Sequence, residues 1–107
     1  MANERKIAEQ LKALAHPARL RILRFLLKGP SCATLTNREV DISQPNLSQH
    51  LKILTEAGII DFRKIGTKKC FYISKPDFVA ELFKLFDNER EKVILEEDDL
   101  RNIYGTE

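Results

Sequence analysis

The chain has 107 residues, with 18 Lys and Arg against 16 Asp and Glu for a net charge of +2, and two cysteines. That length suits one domain over 1–107 with a modest core and is short for a freestanding enzyme with a deep pocket; two cysteines without C-x-x-C spacing form no disulfide framework and point to a reducing compartment. No run of about 18 apolar residues occurs, and the opening MANERKIAEQLKAL lacks the apolar stretch of a secretory signal, so a soluble cytoplasmic protein with no membrane contact is expected.

In chain order, Ile7, Leu11 and Leu14 stand at i, i+4, i+7, which predicts an amphipathic helix over 4–15 ending before His16-Pro17. ARLRILRFLLKG follows, with Leu20, Leu23 and Leu27 on one face and Ile22 and Leu26 beside them, closed by Gly29-Pro30. SCATLTNREVDI is short and mixed. Residues 31–33 suit an extended segment, and Thr34 or Thr36 can cap a brief helix ending near Asp41-Ile42, Thr36 with Glu39 having the spacing of a capping box.

SQPNLSQHLKIL, with Ser43 as N-cap and Pro in the first turn, buries Leu47, Leu51 and Leu54 and runs to Ala57-Gly58. Its outward arc holds Gln44, Asn46, Ser48, Gln49 and Lys52 in place of the Glu and Lys of an ordinary solvated face. Amides and hydroxyls both donate and accept, as base edges require. IIDFRKI and KKCFYIS then make two β-rich runs around Gly66-Thr67, a hairpin with Arg63, Lys64, Lys68 and Lys69 near its tip. Pro76 opens a helix with Phe78, Leu82, Leu85 and Phe86 on one stripe, widened by Val79 and Phe83. The charged tail DNEREKVILEEDDLRNIYGTE either prolongs that helix through Val93 and Ile94 or frays. Charge divides along the chain: residues 1–76 hold 14 basic against 6 acidic side chains, net +8, and residues 77–107 hold 4 against 10, net −6. The basic body suits a polyanion, and the acidic segment of about 77–107 belongs on another side.

These pieces predict a mainly α fold with a small β-hairpin, a winged helix-turn-helix. LKALAHPARLRIL, ISQPNLSQHLKILTEAGII and RKIGTKKCFYI together closely resemble the ArsR/SmtB family of bacterial and archaeal transcriptional repressors, over residues 11–86. The resemblance implies a homodimer paired through its first and last helices, a palindromic operator of double-stranded DNA, and release by an inducer. On that basis Ile7, Leu11, Leu82, Leu85 and Phe86 are the expected dimer surface. Gln44, Asn46, Ser48, Gln49 and Lys52 form the arc expected against base edges, His50 is expected at a phosphate or a base, and Arg63, Lys64, Lys68 and Lys69 at phosphates or the minor groove. His50 also has a structural reading, as a flank residue touching a neighbouring helix, and His16 is read as a cap or packing residue.

The chain departs from the family's metal sites. Where thiophilic-metal sensors often carry Cys-x-Cys-Asp it has Cys32-Ala33-Thr34-Leu35, and where zinc or nickel sensors carry Asp-x-His on the dimer helix it has Asp77-Phe78-Val79, with no later His. Cys32 and Cys70 remain as candidate sensing residues, suited to a soft metalloid such as As(III) or Sb(III) as inducer, a persulfide or a disulfide switch. The segment before a helix-turn-helix often pairs with the second wing strand, which would make them neighbours; the alternative is that both are small buried hydrophobes. No nucleophile elbow, Gly-rich phosphate loop or ligand cluster suggests catalysis. The alternative to a repressor is a nonregulatory winged-helix module that binds protein through its acidic tail.

Overall fold

The computed structural model describes residues 3–88 and 91–104. α1 (Glu4–Leu14) starts at Asn3, whose side chain accepts from the Lys6 amide, and turns at Ala15 into α2 (Pro17–Leu26). The two-residue strand β1 (Ser31–Cys32) leads directly into α3 (Ala33–Val40). α4 (Gln44–Glu56) follows a three-residue turn, then the hairpin β2 (Ile60–Ile65) and β3 (Lys68–Ile73), then α5 (Pro76–Asp87) and, after a non-helical stretch, α6 (Glu97–Tyr104). The sheet order is β1-β3-β2, antiparallel throughout, so the hairpin is anchored to the body through β1.

The core lies where α2, α4 and the base of the hairpin meet. Ile22, Leu23, Leu47, Leu54, Ile59, Ile60 and Val79 are fully shielded, and Leu51 and Leu26 nearly so. Leu47, Leu51 and Leu54 therefore form the inward stripe of α4 that their spacing predicts. At its end Gly58 takes φ +77, a left-handed stop that lets the Ile59 amide donate to the Leu54 carbonyl and turns the chain into β2. At the hairpin tip Gly66 has φ +64, the sign that the first position of a two-residue turn needs to match the strand twist.

Several local expectations are corrected. The buried face of α2 is Ile22, Leu23 and Leu26, with Ala18, whereas Leu20 is half-buried and Leu27, the C-cap, is exposed. The helix thus stops four residues before Pro30, because the chain must turn there to lay β1 along β3. Thr36 with Glu39 forms no capping box. Cys32 is the N-cap of α3, and Thr36 lies inside the helix, fully buried, donating to the Cys32 carbonyl at 3.0 Å. On α5 the buried pair is Val79 and Phe83, and the stripe that looked most apolar, Phe78, Leu85 and Phe86, is exposed. α5 ends at Asp87, whose carboxylate meets the Arg24 guanidinium at 2.7 and 3.2 Å while Arg24 lies 4.1 Å over the Phe83 ring. Val93 and Ile94 are outside any helix and exposed. Residues 89–90 and 105–107 of the tail lie outside the described residues. No helix among the described residues is long and apolar enough to cross a membrane.

Candidate nucleic-acid interface

The α3–turn–α4 unit is held by side chains that reach back to the main chain. Asp41 adopts the left-handed conformation at the end of α3, a position that Asp tolerates better than most residues. The Asn37 amide donates to the Ile42 carbonyl across the turn, fixing the angle at which Ser43 begins α4. With the leucine stripe inside, Gln44, Asn46, Ser48, Gln49 and Lys52 are all exposed on α4. None of these five side chains makes a hydrogen bond or ion pair to another described residue, so their donors and acceptors face outward.

His50 belongs elsewhere. It is half-buried against the start of α2, its ring 4.5 Å from that of His16, and its Nδ1 accepts from Arg19 Nε at 3.2 Å. His16 is itself the N-cap of α2, its Nδ1 accepting from the Ala18 amide at 3.0 Å. Burial first, then His16, Arg19 and Arg21, push the His50 imidazole below its ordinary value, so it stays neutral and holds α4 against α2. Sequence reasoning passed over Arg19, which also donates to the Ala13 carbonyl at 3.1 Å. The available signal was its place in the first turn of α2, where a cation opposes the helix dipole and needs a tertiary partner to compensate.

The hairpin supplies the second part of the interface. Arg63, Lys64, Lys68 and Lys69 are exposed, as are Gly66 and Thr67 between them. Antiparallel register sets Lys64 directly opposite Lys69, two like charges on one face of the ribbon, with Lys69 Nζ 4.5 Å over the Phe62 ring. Cys70 opposes Arg63 on one side and Cys32 on the other. Wing and reading arc are brought together: Ser48, Lys52 and Thr55 of α4 and Thr67 and Lys69 of the hairpin line one open cleft of about 510 Å³ floored by Leu51, Phe62 and Phe71. Hydroxyls and cations at that rim, which also carries Glu56, can meet base edges and phosphates, and the amides of Gln44, Asn46 and Gln49 lie outside it on the same helix.

On the other side of the molecule Leu11 and Leu82 stand with Leu14, Leu20, Phe83 and Phe86 around an apolar groove between α1, α2 and α5. Ile7, Leu11, Leu85 and Phe86 are 45%, 54%, 55% and 80% exposed, an amount of bare apolar surface that a small soluble domain seldom leaves uncovered. Leu82 is half-buried at its edge.

A helix-turn-helix domain model matches residues 14–61, which contain α2, α3 and α4. Over 88 residues the chain is 42% identical to an HTH-type transcriptional regulator of Methanocaldococcus jannaschii, covering 81% of this chain and 98% of that one. It is also 42% identical over 79 residues to a biofilm growth-associated repressor of Agrobacterium fabrum, 74% of this chain and 67% of the relative. Its fold is similar, with a TM-score of 0.69 and 30% identity over 77% of this chain and 75% of the other, to the homodimeric winged helix-turn-helix DNA-binding domain of a possible ArsR-family regulator from Mycobacterium bovis. A helix-turn-helix whose reading helix, wing and flanking helices stand in that order and spacing, matched over nearly the whole of one regulator, places this chain in the ArsR family of winged helix-turn-helix transcriptional regulators.

Proposed function

We propose that this chain is a single-domain, cytoplasmic, homodimeric repressor that acts by binding rather than catalysis. It reads a palindromic operator with α4, grips flanking phosphates with the wing, and is released by a thiol-directed signal at Cys32 and Cys70. The observation that carries the DNA reading is the shared rim of Ser48, Lys52, Thr67 and Lys69, which joins an unpaired polar arc on a helix to a cationic ribbon. In the major groove Gln44, Asn46, Ser48 and Gln49 hydrogen-bond to base edges, while Lys52, Arg63, Lys64, Lys68 and Lys69 hold phosphates. His50 works from behind, fixing the helix on α2. The uncompensated Lys64–Lys69 pair fits a polyanionic partner, because repulsion across the ribbon is relieved when phosphate enters between the cations.

The apolar groove of α1, α2 and α5 supports pairing with a second copy through Ile7, Leu11, Leu82, Leu85 and Phe86, which sets two reading helices about one DNA turn apart. The signal class rests on the register that makes Cys32 and Cys70 direct partners. A mobility-shift titration on the DNA upstream of the protein's own gene, repeated with arsenite, zinc, an oxidant and a persulfide donor, tests the proposal. Binding to one palindrome that is lost on thiol-directed treatment is the expected result. Binding that ignores sequence, or no DNA binding with the acidic tail capturing a protein instead, refutes it.

A further inference from the structure

Directly opposed residues of an antiparallel pair put their side chains on one face, so the registers Cys32–Cys70 and Cys70–Arg63 lay the two thiols and a guanidinium in a single row across β1, β3 and β2. The neighbouring row, Ser31–Phe71–Phe62, faces the other way, toward the core. Lys68, two residues before Cys70 on the same strand, stands on the thiol face. Both cysteines are half-buried, open enough for a small reagent.

The two thiols are not equivalent. Cys32 is the N-cap of α3, at the positive end of the helix dipole, and its sulfur makes no capping hydrogen bond. The Leu35 amide foremost holds its thiol below the ordinary range, burial opposes it, and Lys68 and the Thr34 amide add smaller lowering effects. A thiolate at a helix N-terminus beside cations is the nucleophile, and a second thiol in register with it is the resolving group. A trigonal metalloid would lack a third ligand here, since no group of three Cys, His, Asp or Glu suited to an ion exists among the described residues.

We propose that Cys32 and Cys70 form a hydroperoxide-oxidisable pair, Cys32 attacking and Cys70 resolving, whose disulfide ties the start of α3 to the wing strand and weakens the hold on DNA. The chemistry stands on its own, and its effect on DNA rests on the repressor reading above. The Cys32 thiolate attacks a hydroperoxide oxygen, forming S–O as O–O breaks, and the alcohol, or water from hydrogen peroxide, leaves with one proton. Cys70 sulfur then attacks Cys32 sulfur, forming S–S as S–O breaks, and the departing hydroxide takes the Cys70 proton to become water. Two thiols give up two electrons and two protons in all, and the peroxide is reduced by the same two electrons.

Directly opposed Cα atoms stand about 4.5 to 5.5 Å apart, within the roughly 4.4 to 6.8 Å span of a disulfide, so the bond forms without unfolding the sheet. The Cβ atoms, about 4.5 to 5.5 Å apart in such pairs, must close to about 3.8 Å. That closure drags β3, and with it Lys68 and Lys69, relative to the reading helix.

The test treats the reduced full chain with hydrogen peroxide and follows three readouts: peptide mapping, labelling by dimedone, and operator affinity. The expected results are an intrachain Cys32–Cys70 link, a severalfold lower affinity, and recovery with dithiothreitol. Cys70→Ser should trap a dimedone adduct on Cys32, and Cys32→Ser should leave Cys70 unlabelled and DNA binding insensitive to peroxide. Absence of the link, a link between two chains instead, a link that leaves affinity unchanged, or a Cys70 that labels equally in Cys32→Ser overturns the proposal. So does release by arsenite from protein that peroxide leaves bound. Reduced wild-type protein with no specific DNA binding refutes the repressor reading, and the peptide map and dimedone pattern decide the thiol chemistry independently of that.

Discussion

Lys64→Ala separates what the wing does for the fold from what it does for DNA, because the two effects have opposite signs. Lys64 is exposed and faces Lys69 across the β2–β3 register. Two like charges directly opposite on a ribbon cost about 0.2 to 1 kcal/mol, so the substitution should leave stability to urea unchanged or raise it by up to that amount. In binding, one neutralised phosphate on duplex DNA contributes about 0.9 to the slope of log affinity against log salt. The proposed two-fold dimer would present the wing twice, so the slope should flatten by about 1.8. Between about 50 and 200 mM salt the variant should therefore lose about tenfold less of its affinity than the wild type, and should start weaker at low salt. Fluorescence anisotropy on operator and on scrambled DNA reads both quantities, and the flattening should be the same for the two sequences. A slope that does not move, or a loss of stability above about 1 kcal/mol, would show that Lys64 is a structural residue and that the ribbon does not touch phosphate.

Further outcomes follow from the same geometry. Leu54→Ala, at a fully shielded core position on the inner face of α4, should cost about 2 to 5 kcal/mol in urea denaturation, and a cost under about 1 kcal/mol would mean that α4 is not seated as described. Leu82→Glu with Phe86→Glu should give a monomer by sedimentation with its fold intact by circular dichroism, whereas a full dimer would move the interface elsewhere. His50 has its folded-state value pushed below the ordinary 6.5, so protons bind the unfolded chain first. Its contribution is then complete above about pH 6.5 and is lost as pH falls toward the folded value. The urea midpoint should drop between about pH 7.5 and 5.5, and His50→Gln should remove part of that drop; an identical pH profile in the variant would contradict the neutral His50–Arg19 contact.

Elements governed by local chemistry were readable from the chain. The stripe of Leu47, Leu51 and Leu54 has an unbroken helical period, and Gly58 and Gly66 stand where left-handed turns are needed, so α4 and the hairpin could be placed almost to the residue. Elements decided by tertiary partners could not. The extended segment at 31–33 and its pairing with the second wing strand were expected, but not that β1 stops at Cys32, so that Cys32 starts α3 and Thr36 is drawn inside, against the capping-box spacing. The inward face of α5 is chosen by what it packs on, so Val79 and Phe83 are buried while the longer stripe is bare, and Asp87 at the helix end meets an arginine 63 residues earlier. The candidate base-reading residues were legible because they break the rule for a solvated face. His50 was legible as a flank residue touching a neighbouring helix, but its partners His16 and Arg19 were not, because they lie on that other helix. The pairing of Cys32 with Cys70 sits between these cases: the topology made it an expectation, and the register makes the two residues direct cross-strand partners.

The central claim is that the exposed amide arc of α4 reads sequence. Gln49 lies in the middle of that arc, exposed and without a hydrogen-bonding partner among the described residues, so Gln49→Ala changes nothing in the core. The direct measurement is the affinity of wild type and Gln49→Ala for the operator and for scrambled DNA at one salt concentration. A base-edge contact predicts a loss of about 1 to 3 kcal/mol on the operator with nonspecific binding almost unchanged. Equal losses on both DNAs, or none on either, would contradict it and take the reading role away from α4.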